Sequence, residues 1–323
     1  MYYNTYDKYF NINNFVNKNI VFCLQKKCLQ NYLCSLQQTK DGVYMHKVYL
    51  NLEKGGTGRT LSLYHLAWTF GDLFNKRVLI VDLDSQKNVS FLFGIDGNTI
   101  VAEGGHSMAH VLFKNLNPNK RRKSIKECII KDVAPNVDIA YTSSELKDSA
   151  IHFAQEKLNS HLLLSKALEE VENDYDYVFI DTNGTYDSIF LNAVVVADLV
   201  IPTLKTDFQN LQCFIETMYN YESLADEGVE PAIGGVLCTT YENTSQSNQI
   251  IDYLNNNSYP IWGVIKKQVA MIDSAMANMP IYKYSPQNQG SWACIRLAHN
   301  ILDYFGEDFS IQLDKRYRRK KDY

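Results

Sequence analysis

The segment EKGGTGRT at residues 53–60 narrows the choice of folds for this 323-residue chain more than any other segment. It lies between an apolar run at 48–52 and an amphipathic stretch that starts at Thr60, so the order is strand, glycine loop, helix. Glycines let consecutive backbone N–H groups turn towards a polyphosphate, and the helix N-terminus adds partial positive charge. The loop therefore predicts a phosphate site, with the Thr60 hydroxyl available to Mg²⁺. The alternative is a tight strand–helix turn that binds nothing.

Short runs of β-branched residues alternate with longer helical stretches along most of the chain. Predicted strands span residues 47–52, 77–83, 137–141, 177–181, 199–202, 233–238 and 261–265. Predicted helices span residues 60–74, 144–171, 207–225, 245–256 and 291–305. Apolar residues occupy consecutive positions at 78–81 and 178–180, which is typical of central strands covered by helices on both faces. We therefore predict an α/β fold with a doubly wound, mostly parallel β-sheet flanked by helices.

The two ends of the chain differ from this middle part. Residues 1–45 are rich in Asn and Tyr, carry no strand pattern and contain one amphipathic candidate helix at 17–37. We interpret them as a short helical N-terminal extension, because a helix-turn-helix module that binds DNA needs more packed helices. Residues 307–323 form a basic C-terminal tail, which leaves residues 46–306 as the predicted nucleotide-binding domain.

Charge and hydropathy limit the classes of function. A formal net charge of -4 gives no overall attraction to nucleic acid, so DNA contact would require local basic clusters. Apolar runs such as 193–197 are far too short to span a bilayer, and the N-terminus lacks a signal-peptide pattern, so we expect a cytoplasmic protein. Cysteines without a CxxC pair favour reduced, packed thiols: Cys23, Cys28, Cys34, Cys128, Cys213, Cys238 and Cys294.

A lysine stands immediately before the two glycines of the loop, whereas the ordinary P-loop lysine stands at its end. In this respect the loop resembles the deviant Walker A class of P-loop NTPases, written KGGxGK[ST], which includes ParA and MinD. Lys54 matches the early lysine. Further segments resemble the same family in the same order. They are VLIVDLDSQKN at 78–88, VDIAYTSSEL at 137–146, YDYVFIDTNG at 175–184, ADLVIPT at 197–203, and the stretch 263–284 with Lys266, Lys267 and MPIY at 279–282.

The resemblance implies a role for each matching residue. Lys54 would contact the nucleotide phosphates of a partner subunit across a homodimer, and Asp84 would orient the attacking water, so these are the candidate catalytic residues. Thr60 would hold Mg²⁺ directly and Asp181 through water, with Asp82 as a further candidate. A helix cap or a salt bridge is an open alternative for Asp82. The predicted ATP-binding set is Lys54, Gly55, Gly56, Thr57, Gly58, Arg59, Thr60 and Leu61.

Three places depart from the family pattern. Arg59 replaces the second lysine, Leu61 replaces a second threonine, and Asn183-Gly184 replaces the usual Pro-Pro. A planar guanidinium is wider than an ammonium and prefers edge-on bidentate contact, so Arg59 would disturb the geometry of phosphoryl transfer. We expect an ATPase that binds ATP and hydrolyses it slowly to ADP and phosphate, with a complete loss of turnover as the open alternative. Asn183-Gly184 would loosen a turn that proline stiffens.

The resemblance also implies a partition protein. ATP would close a homodimer, and the dimer would bind DNA without sequence preference through basic surface patches. A ParB-like centromere-binding partner would trigger release, so the protein would associate with the nucleoid and segregate plasmids or chromosomes. The predicted DNA-binding residues are Lys315, Arg316, Arg318, Arg319, Lys320, Lys321, Lys266 and Lys267. For a second basic cluster at 119–123, the default interpretation is a solvated face.

Two other functions stay open from the sequence. Arg59 would suit a non-hydrolysing, nucleotide-sensing regulator or adaptor. Apolar residues just before the tail would suit a MinD-like positioning ATPase at the membrane, although Gly306 and two acidic residues interrupt that face. Separately, His106 and His110 are four apart and could ligate a metal, but an ordinary helix face is the interpretation we favour because no third ligand is near in sequence.

Overall fold

The computed structural model describes residues 44–156 and 159–307, and these residues form an eight-stranded sheet flanked by helices. The strands are β1 (His46–Asn51), β2 (Val78–Leu83), β3 (Ile129–Ala134), β4 (Val137–Ala140), β5 (Tyr177–Thr182), β6 (Leu199–Lys205), β7 (Val236–Tyr241) and β8 (Ile261–Lys266). Their order across the sheet is β3-β4-β2-β5-β1-β6-β7-β8. Neighbouring strands are parallel except for the antiparallel pair β3–β4 at one edge. The predicted doubly wound, mostly parallel α/β fold is confirmed.

Helices connect the parallel strands. They are α1 (Arg59–Trp68), α2 (Asn88–Leu92), α3 (Gly97–Ala102), α4 (Met108–Leu112), α5 (Ser149–Gln155), α6 (Leu163–Glu169), α7 (Ser188–Val196), α8 (Phe208–Asp226), α9 (Ser245–Asn256), α10 (Ala270–Met276), α11 (Ile281–Tyr284) and α12 (Gln289–Tyr304). A π-helical turn, Thr69–Leu73, continues α1. Within the described ranges, no helix is both long enough and apolar enough to cross a membrane.

The core lies on both faces of the central strands. On one face, Phe70, in the turn after α1, packs against Phe179 of β5 with ring centroids 5.1 Å apart. On the other face, Phe190 of α7 packs edge-on against Tyr49 of β1 at 6.4 Å. Every residue of β2 and β5 is buried, as expected for strands covered on both sides. This double cover explains why these strands are apolar at consecutive positions instead of alternating.

The predicted helix at 144–171 is wrong as a single element. A 3₁₀ turn (Ser144–Asp148) leads into α5, and a second 3₁₀ turn (Ser160–Leu162) precedes α6. Asn159 adopts a left-handed backbone with φ 59°, which a continuing α-helix cannot include. Phe153 of α5 and Leu164 of α6 are both buried in the same core, so both helical segments bury apolar residues despite the break.

Strand β3 was missed from the sequence. Its residues are half-exposed or exposed up to Ala134, and Asp132 has a left-handed φ of 56° within an irregular register between Ile130 and Ala134. A short, charged and bulged edge strand lacks the apolar run that marks the central strands. Strand β7 also begins later than predicted, because Ile233 makes only an isolated bridge to Val200.

Several sequence predictions concern residues outside this description. The N-terminal extension up to residue 43, with its candidate helix and Cys23, Cys28 and Cys34, lies outside the described residues, as does the tail from residue 308. The proposed domain boundaries therefore stay predictions. Of the other cysteines, Cys128, Cys238 and Cys294 are buried and Cys213 is half-buried, and all four are free thiols.

Candidate nucleotide-binding site

The glycine loop joins the end of β1 to the start of α1. Gly58 precedes α1 with a left-handed φ of 81°, and no side chain of the described residues caps the first turn of this helix. The first backbone N–H groups of a helix have no partner within it, so an uncapped N-terminus of this kind favours an anion. Gly55 and Gly56 are exposed, and Gly56 is also left-handed, with φ 74°. The loop is therefore open on the side where a phosphate chain would approach.

A neighbouring strand holds the loop in place. The hydroxyl of Thr239, in β7, donates a hydrogen bond of 2.6 Å to the carbonyl oxygen of Thr57. The Thr239 side chain would also lie 3.6 Å from a Cβ at position 58, so the loop passes close to β7 there. The Thr57 hydroxyl is itself buried and has no hydrogen-bond partner within residues 44–156 and 159–307. It is therefore a polar atom that a ligand could satisfy.

Thr60 and Asp181 meet beside the loop. The Thr60 hydroxyl donates to Asp181 Oδ2 over 2.8 Å, while Asp181 Oδ1 is buried without a partner among the residues described. Burial raises the pKa of Asp181 to about 6, although the nearby Arg59 charge and the Thr60 hydrogen bond act in the opposite direction. A hydroxyl and a carboxylate are oxygen donors of the type that Mg²⁺ prefers. These two side chains fit a nucleotide-bound Mg²⁺.

Asp82 lies beside Asp181 in the register of β2 and β5 and is also fully buried. Its carboxylate accepts hydrogen bonds from the backbone of Asp84 at 3.0 Å, and from the backbone and hydroxyl of Ser90 at 3.2 and 2.5 Å. Burial, and then the charge of Asp181, raises the pKa of Asp82 to about 7. These contacts support a structural role for Asp82, in which its carboxylate fixes the turn and the helix that follow β2. Its role beside a metal stays a prediction.

Asp84 starts the turn between β2 and α2. It is 6% exposed, and its Oδ1 accepts a hydrogen bond of 2.9 Å from the backbone of Gln86. The Asn88 side chain lies 3.5 Å from Oδ2. Lys87 adopts a left-handed φ of 59° before α2 begins, so the chain doubles back here. The segment 84–88 is therefore an ordered turn at the same edge of the sheet as the loop.

Lys54 extends along the outside of the loop. Its Nζ lies 3.3 Å from the side-chain oxygen of Gln209, at the start of α8, in an exposed contact. The preceding Glu53 is held by two hydrogen bonds from Asn220, at 2.8 and 3.1 Å. Burial raises the pKa of Glu53, and the Asn220 contact partly opposes this. Lys54 is thus anchored at its base, while its ammonium group stays near the surface.

Arg59 is turned inwards, under the loop. Its guanidinium donates to the carbonyl oxygens of Leu52, of Lys54 at 3.3 Å and of Thr182 at 3.1 Å. The residue is only 6% exposed, and its Nε has no partner among the described residues. The Arg59 side chain therefore bridges the end of β1 to the end of β5. Leu61, the other replacement in α1, is partly buried against the core.

The sequence analysis missed three residues of this site: Gln209, Thr239 and Thr182. Gln209 and Thr239 come from distant segments, and no local pattern marks them. Thr182 acts through its backbone carbonyl, which any residue type would supply. Gly184 was noted only as a replacement of the family's proline, and in the structure it lies against the Arg59 guanidinium.

The basic residues proposed for DNA are only partly described. Lys266 ends β8, and Lys267 forms an exposed ion pair of 3.3 Å with Glu242. The tail cluster Lys315, Arg316, Arg318, Arg319, Lys320 and Lys321 lies outside the described residues. In the cluster at 119–123, Arg122 pairs with Glu156 at 2.8 Å and Lys123 pairs with Glu127 at 3.2 Å.

His106 lies just before α4, and His110 lies within that helix. Their rings are 5.3 Å apart, and each also faces a carboxylate, Glu127 at 3.7 Å and Glu145 at 3.4 Å. In the part of the chain that the structure describes, no group of three or more His, Cys, Asp or Glu side chains is placed to hold a metal. Burial lowers the pKa of His110, which favours the neutral ring.

A family model described as an AAA domain, AAA_31, matches residues 45–230, which is more than half of the chain. The chain belongs to this family. Among the relatives of this AAA-domain protein, Rv1708 of Mycobacterium tuberculosis, an uncharacterized protein, is 25% identical over 261 residues, covering 79% of this chain and 77% of its own. The chromosome-partitioning ATPase Soj of Treponema pallidum is 24% identical over 268 residues, covering 80% of this chain and 98% of its own.

Solved structures share the fold of this AAA-domain protein. An ATP complex of an McdA variant from Cyanothece superposes with a TM-score of 0.71 at 15% identity, over 84% of this chain and all of that one. The septum site-determining protein MinD of Pyrococcus horikoshii, bound to Mg-ADP, gives 0.61 at 19% identity, over 80% of this chain and 96% of its own. With the family match, these results confirm a ParA- and MinD-like P-loop ATPase family.

Proposed function

We propose that this chain is a ParA-like nucleotide switch that binds ATP with Mg²⁺ in the loop at 53–61. ATP closes a homodimer, the dimer binds DNA without sequence preference, and hydrolysis resets the cycle during plasmid or chromosome segregation. The observation that carries the proposal is the meeting of Thr60 with Asp181 beside an uncapped, open glycine loop, at 2.8 Å. That arrangement is what a Mg²⁺–triphosphate needs and what a merely structural turn does not.

Each side chain at the site has a distinct task in this proposal. Mg²⁺, when bound with the nucleotide, neutralises charge on the phosphates. Thr60 and Asp181 hold the metal, and the open N–H groups of the loop hold the phosphate chain. Asp84, already fixed by its turn, orients the attacking water. The Arg59 guanidinium must break some of its hydrogen bonds to the carbonyls of Leu52, Lys54 and Thr182 before it can contact a phosphate. This requirement supports slow hydrolysis.

In this proposal, a second copy of the chain covers the edge of the sheet that carries the loop. The ammonium group of Lys54 lies near the surface there, beside Gln209. The segments on either side expose large aromatic rings, since Tyr186 is 48% and Phe208 is 52% exposed. Apolar rings around a charged loop suit a face that is covered in one state and free in another. These features support the proposed homodimerisation across the nucleotide, with Lys54 reaching the partner's phosphates.

DNA contact is proposed for the basic tail at 315–321, with Lys266 and Lys267 as lesser contributors. The tail concentrates positive charge in a chain whose formal net charge is -4. Neutralising backbone phosphates releases counterions, so the affinity should fall steeply with salt and be insensitive to sequence. The Lys267 pair with Glu242 weakens its own contribution. Release by a ParB-like partner, and association with the nucleoid, complete the proposed cycle.

One experiment tests the nucleotide and DNA parts together. Binding of the purified full chain to an arbitrary duplex is measured by fluorescence anisotropy with ATP and Mg²⁺, with ADP and without nucleotide, at two salt concentrations. ATP-dependent binding that weakens with salt is expected. A tail variant with its lysines and arginines changed to glutamine should lose DNA binding and keep ATP binding. Failure of the natural chain to bind any nucleoside triphosphate would overturn the proposal.

A non-hydrolysing, nucleotide-sensing regulator is the second candidate. The hydrogen bonds of Arg59 to the carbonyls of Lys54 and Thr182 favour it, because they hold the guanidinium away from a phosphate. ATP turnover with and without DNA, for the natural chain and for Arg59→Lys, separates the two. Turnover in both chains supports the partition ATPase. Turnover in the variant alone supports the regulator, because the lysine then restores a group that the natural chain lacks. Binding to anionic vesicles without DNA binding would favour a membrane-positioning protein instead.

A further inference from the structure

Arg59 and Gly184 touch each other, although they are 125 positions apart in the chain. Both depart from the family pattern, and from the sequence they look like two independent defects in one site. In the structure, Gly184 lies directly over the buried guanidinium. The contact raises the question of whether each replacement makes the other tolerable.

The space above the guanidinium is too small for a side chain at position 184. A Cβ built on Gly184 would lie 2.8 Å from Cζ of Arg59 and closer still to both of its terminal nitrogens. The guanidinium cannot simply move aside, because backbone carbonyls of Leu52, Lys54 and Thr182 hold it. Real Cβ atoms do not approach other atoms this closely, so any larger residue at 184 would displace the arginine.

The backbone of Gly184 excludes proline independently. Its φ of 74° lies in the left-handed region, whereas the proline ring fixes φ near about -65°. The family's Pro-Pro therefore cannot adopt this turn. Glycine at 184 meets two demands at once, because it adopts the left-handed φ and leaves room for the guanidinium.

The same guanidinium links two functional segments. Through Leu52 and Lys54 it holds the start of the glycine loop, and through Thr182 it holds the last residue of β5. The side-chain oxygen of the next residue, Asn183, accepts a hydrogen bond of 3.1 Å from the backbone N–H of Thr185. Thr185 in turn donates to Asp187, which caps α7. A continuous chain of contacts thus runs from the loop to α7.

We infer that Arg59 and Gly184 are a matched pair in which Gly184 makes room for a guanidinium that ties the phosphate loop to the turn after β5. Arg59 is then a positioning residue that makes the loop and the turn move together. The role in nucleotide binding rests on the proposed function, but the contact itself does not. A change at one position therefore has a cost that depends on the residue at the other.

A double-mutant cycle tests the pair. Gly184→Ala is made in the natural chain and in Arg59→Lys, and the urea midpoint without nucleotide and the affinity for a fluorescent ATP analogue are measured for all four proteins. In the natural chain, Gly184→Ala should weaken nucleotide binding by at least about tenfold, from the cost of overpacking. In the Arg59→Lys chain the loss should be about threefold or less, since lysine leaves the space open. Arg59→Lys should thus rescue Gly184→Ala.

The cycle separates the clash from backbone strain. Alanine at φ 74° is strained whichever residue stands at position 59, so this cost cancels between the two backgrounds. Gly94→Ala is the matched control, because Gly94 has φ 75° and open space around an added Cβ. Its effect on the urea midpoint should be equal in the natural chain and in the Arg59→Lys chain. If Gly184→Ala folds in the Arg59→Lys chain but not in the natural chain, that difference supports the pair, and failure to fold in both chains counts as equal losses.

The outcomes distinguish the pair from the proposed function. Equal losses on Gly184→Ala in both backgrounds would overturn the pair, even when the natural chain binds ATP. Unequal losses in the urea midpoint support the pair, even when no nucleotide binds, in which case only the proposed function fails. Rescue of nucleotide affinity by Arg59→Lys supports both.

Discussion

The hydroxyl of Thr60 donates to one oxygen of Asp181 over 2.8 Å, and the other oxygen of that carboxylate is buried without a partner among the residues described. The pair comes from two strands that are neighbours in the sheet, β1 through its loop and β5 at its end. A buried acceptor without a partner is costly unless a ligand satisfies it. Metal binding at this position would recover that cost.

Asp181→Asn should therefore remove the Mg²⁺ dependence of ATP affinity. The affinity for a fluorescent ATP analogue is measured with Mg²⁺ and with EDTA. The natural chain should bind the analogue much more tightly with Mg²⁺, whereas the variant should show little or no difference. With Mg²⁺ present, the variant should bind the analogue at least about tenfold more weakly than the natural chain. Asp138→Asn is the control. Asp138 is also a mostly buried strand carboxylate, bonded to Lys131 and Tyr175, but it lies away from the loop. An unchanged Mg²⁺ dependence in Asp181→Asn would remove Asp181 from the metal site.

Lys54→Ala should separate nucleotide binding from assembly. In the proposed dimer this lysine serves the partner's nucleotide, so its loss should leave ATP affinity within about threefold of the natural value. The ATP-dependent increase in mass, measured by light scattering after size exclusion, should disappear. Gln209→Ala removes the 3.3 Å contact of the ammonium group and should leave assembly intact. A Lys54→Ala chain that still dimerises with ATP would contradict the role given to this lysine.

Asp82 should make the protein less stable as the pH rises. Burial, with the Asp181 charge, raises its pKa from 3.8 to about 7. A carboxyl whose pKa is higher in the folded state stabilises the fold below about pH 4, and this contribution is lost as the pH rises through 7. As the pH rises from about 4 to about 8, the free energy of unfolding of Asp82→Asn should therefore increase relative to that of the natural chain, by on the order of a few kcal/mol. Urea unfolding across this range, without nucleotide, measures the difference. A difference that does not change with pH would show that Asp82 does not titrate there.

His65 should make the protein less stable as the pH falls, which is the opposite of the effect of Asp82. Its Nδ1 accepts a hydrogen bond of 3.3 Å from the backbone of Ile281, and its Nε2 lies 3.0 Å from the carbonyl of Met271, so the ring is neutral. Burial lowers its pKa from 6.5 to about 4. Below about pH 6.5 the unfolded chain binds a proton that the folded chain does not. His65 therefore lowers the free energy of unfolding by about 3 kcal/mol as the pH falls from 6.5 to 4.

His65→Gln should remove that part of the acid sensitivity. The measurement is the urea midpoint of the natural chain and the variant at intervals from about pH 4 to pH 7. His161→Gln, which removes an exposed histidine in place of a buried one, provides the control. Identical pH profiles for the natural chain and His65→Gln would contradict the neutral, buried assignment.

Local patterns were sufficient for the central fold and for the loop. Strands β1, β2 and β5 are apolar at consecutive positions because both faces are covered, and this is visible without a structure. The sequence was insufficient where tertiary context decides. The break at Asn159 and the bulged strand β3 depend on backbone conformations that the neighbouring residues do not impose. Gln209 and Thr239 contact the loop from distant segments, which only the sheet order brings together.

Arg59 is the clearest example of a residue whose environment the sequence alone did not predict. From the sequence, a guanidinium in place of the lysine is a loss of fit to phosphate, and glycine in place of proline is a loss of stiffness. Neither expectation contains the contact between them, because it depends on where the end of β5 lies relative to the loop. The structure replaces two independent weaknesses with one packed arrangement.

Strand β3 closes one side of the sheet with half-exposed and exposed residues, a left-handed Asp132 and the charged pair of Lys131 with Asp138 at 2.7 Å. An irregular, charged border offers a poor template for a further strand from another molecule. Copies of the chain are thereby discouraged from joining side by side into continuous sheets at this border.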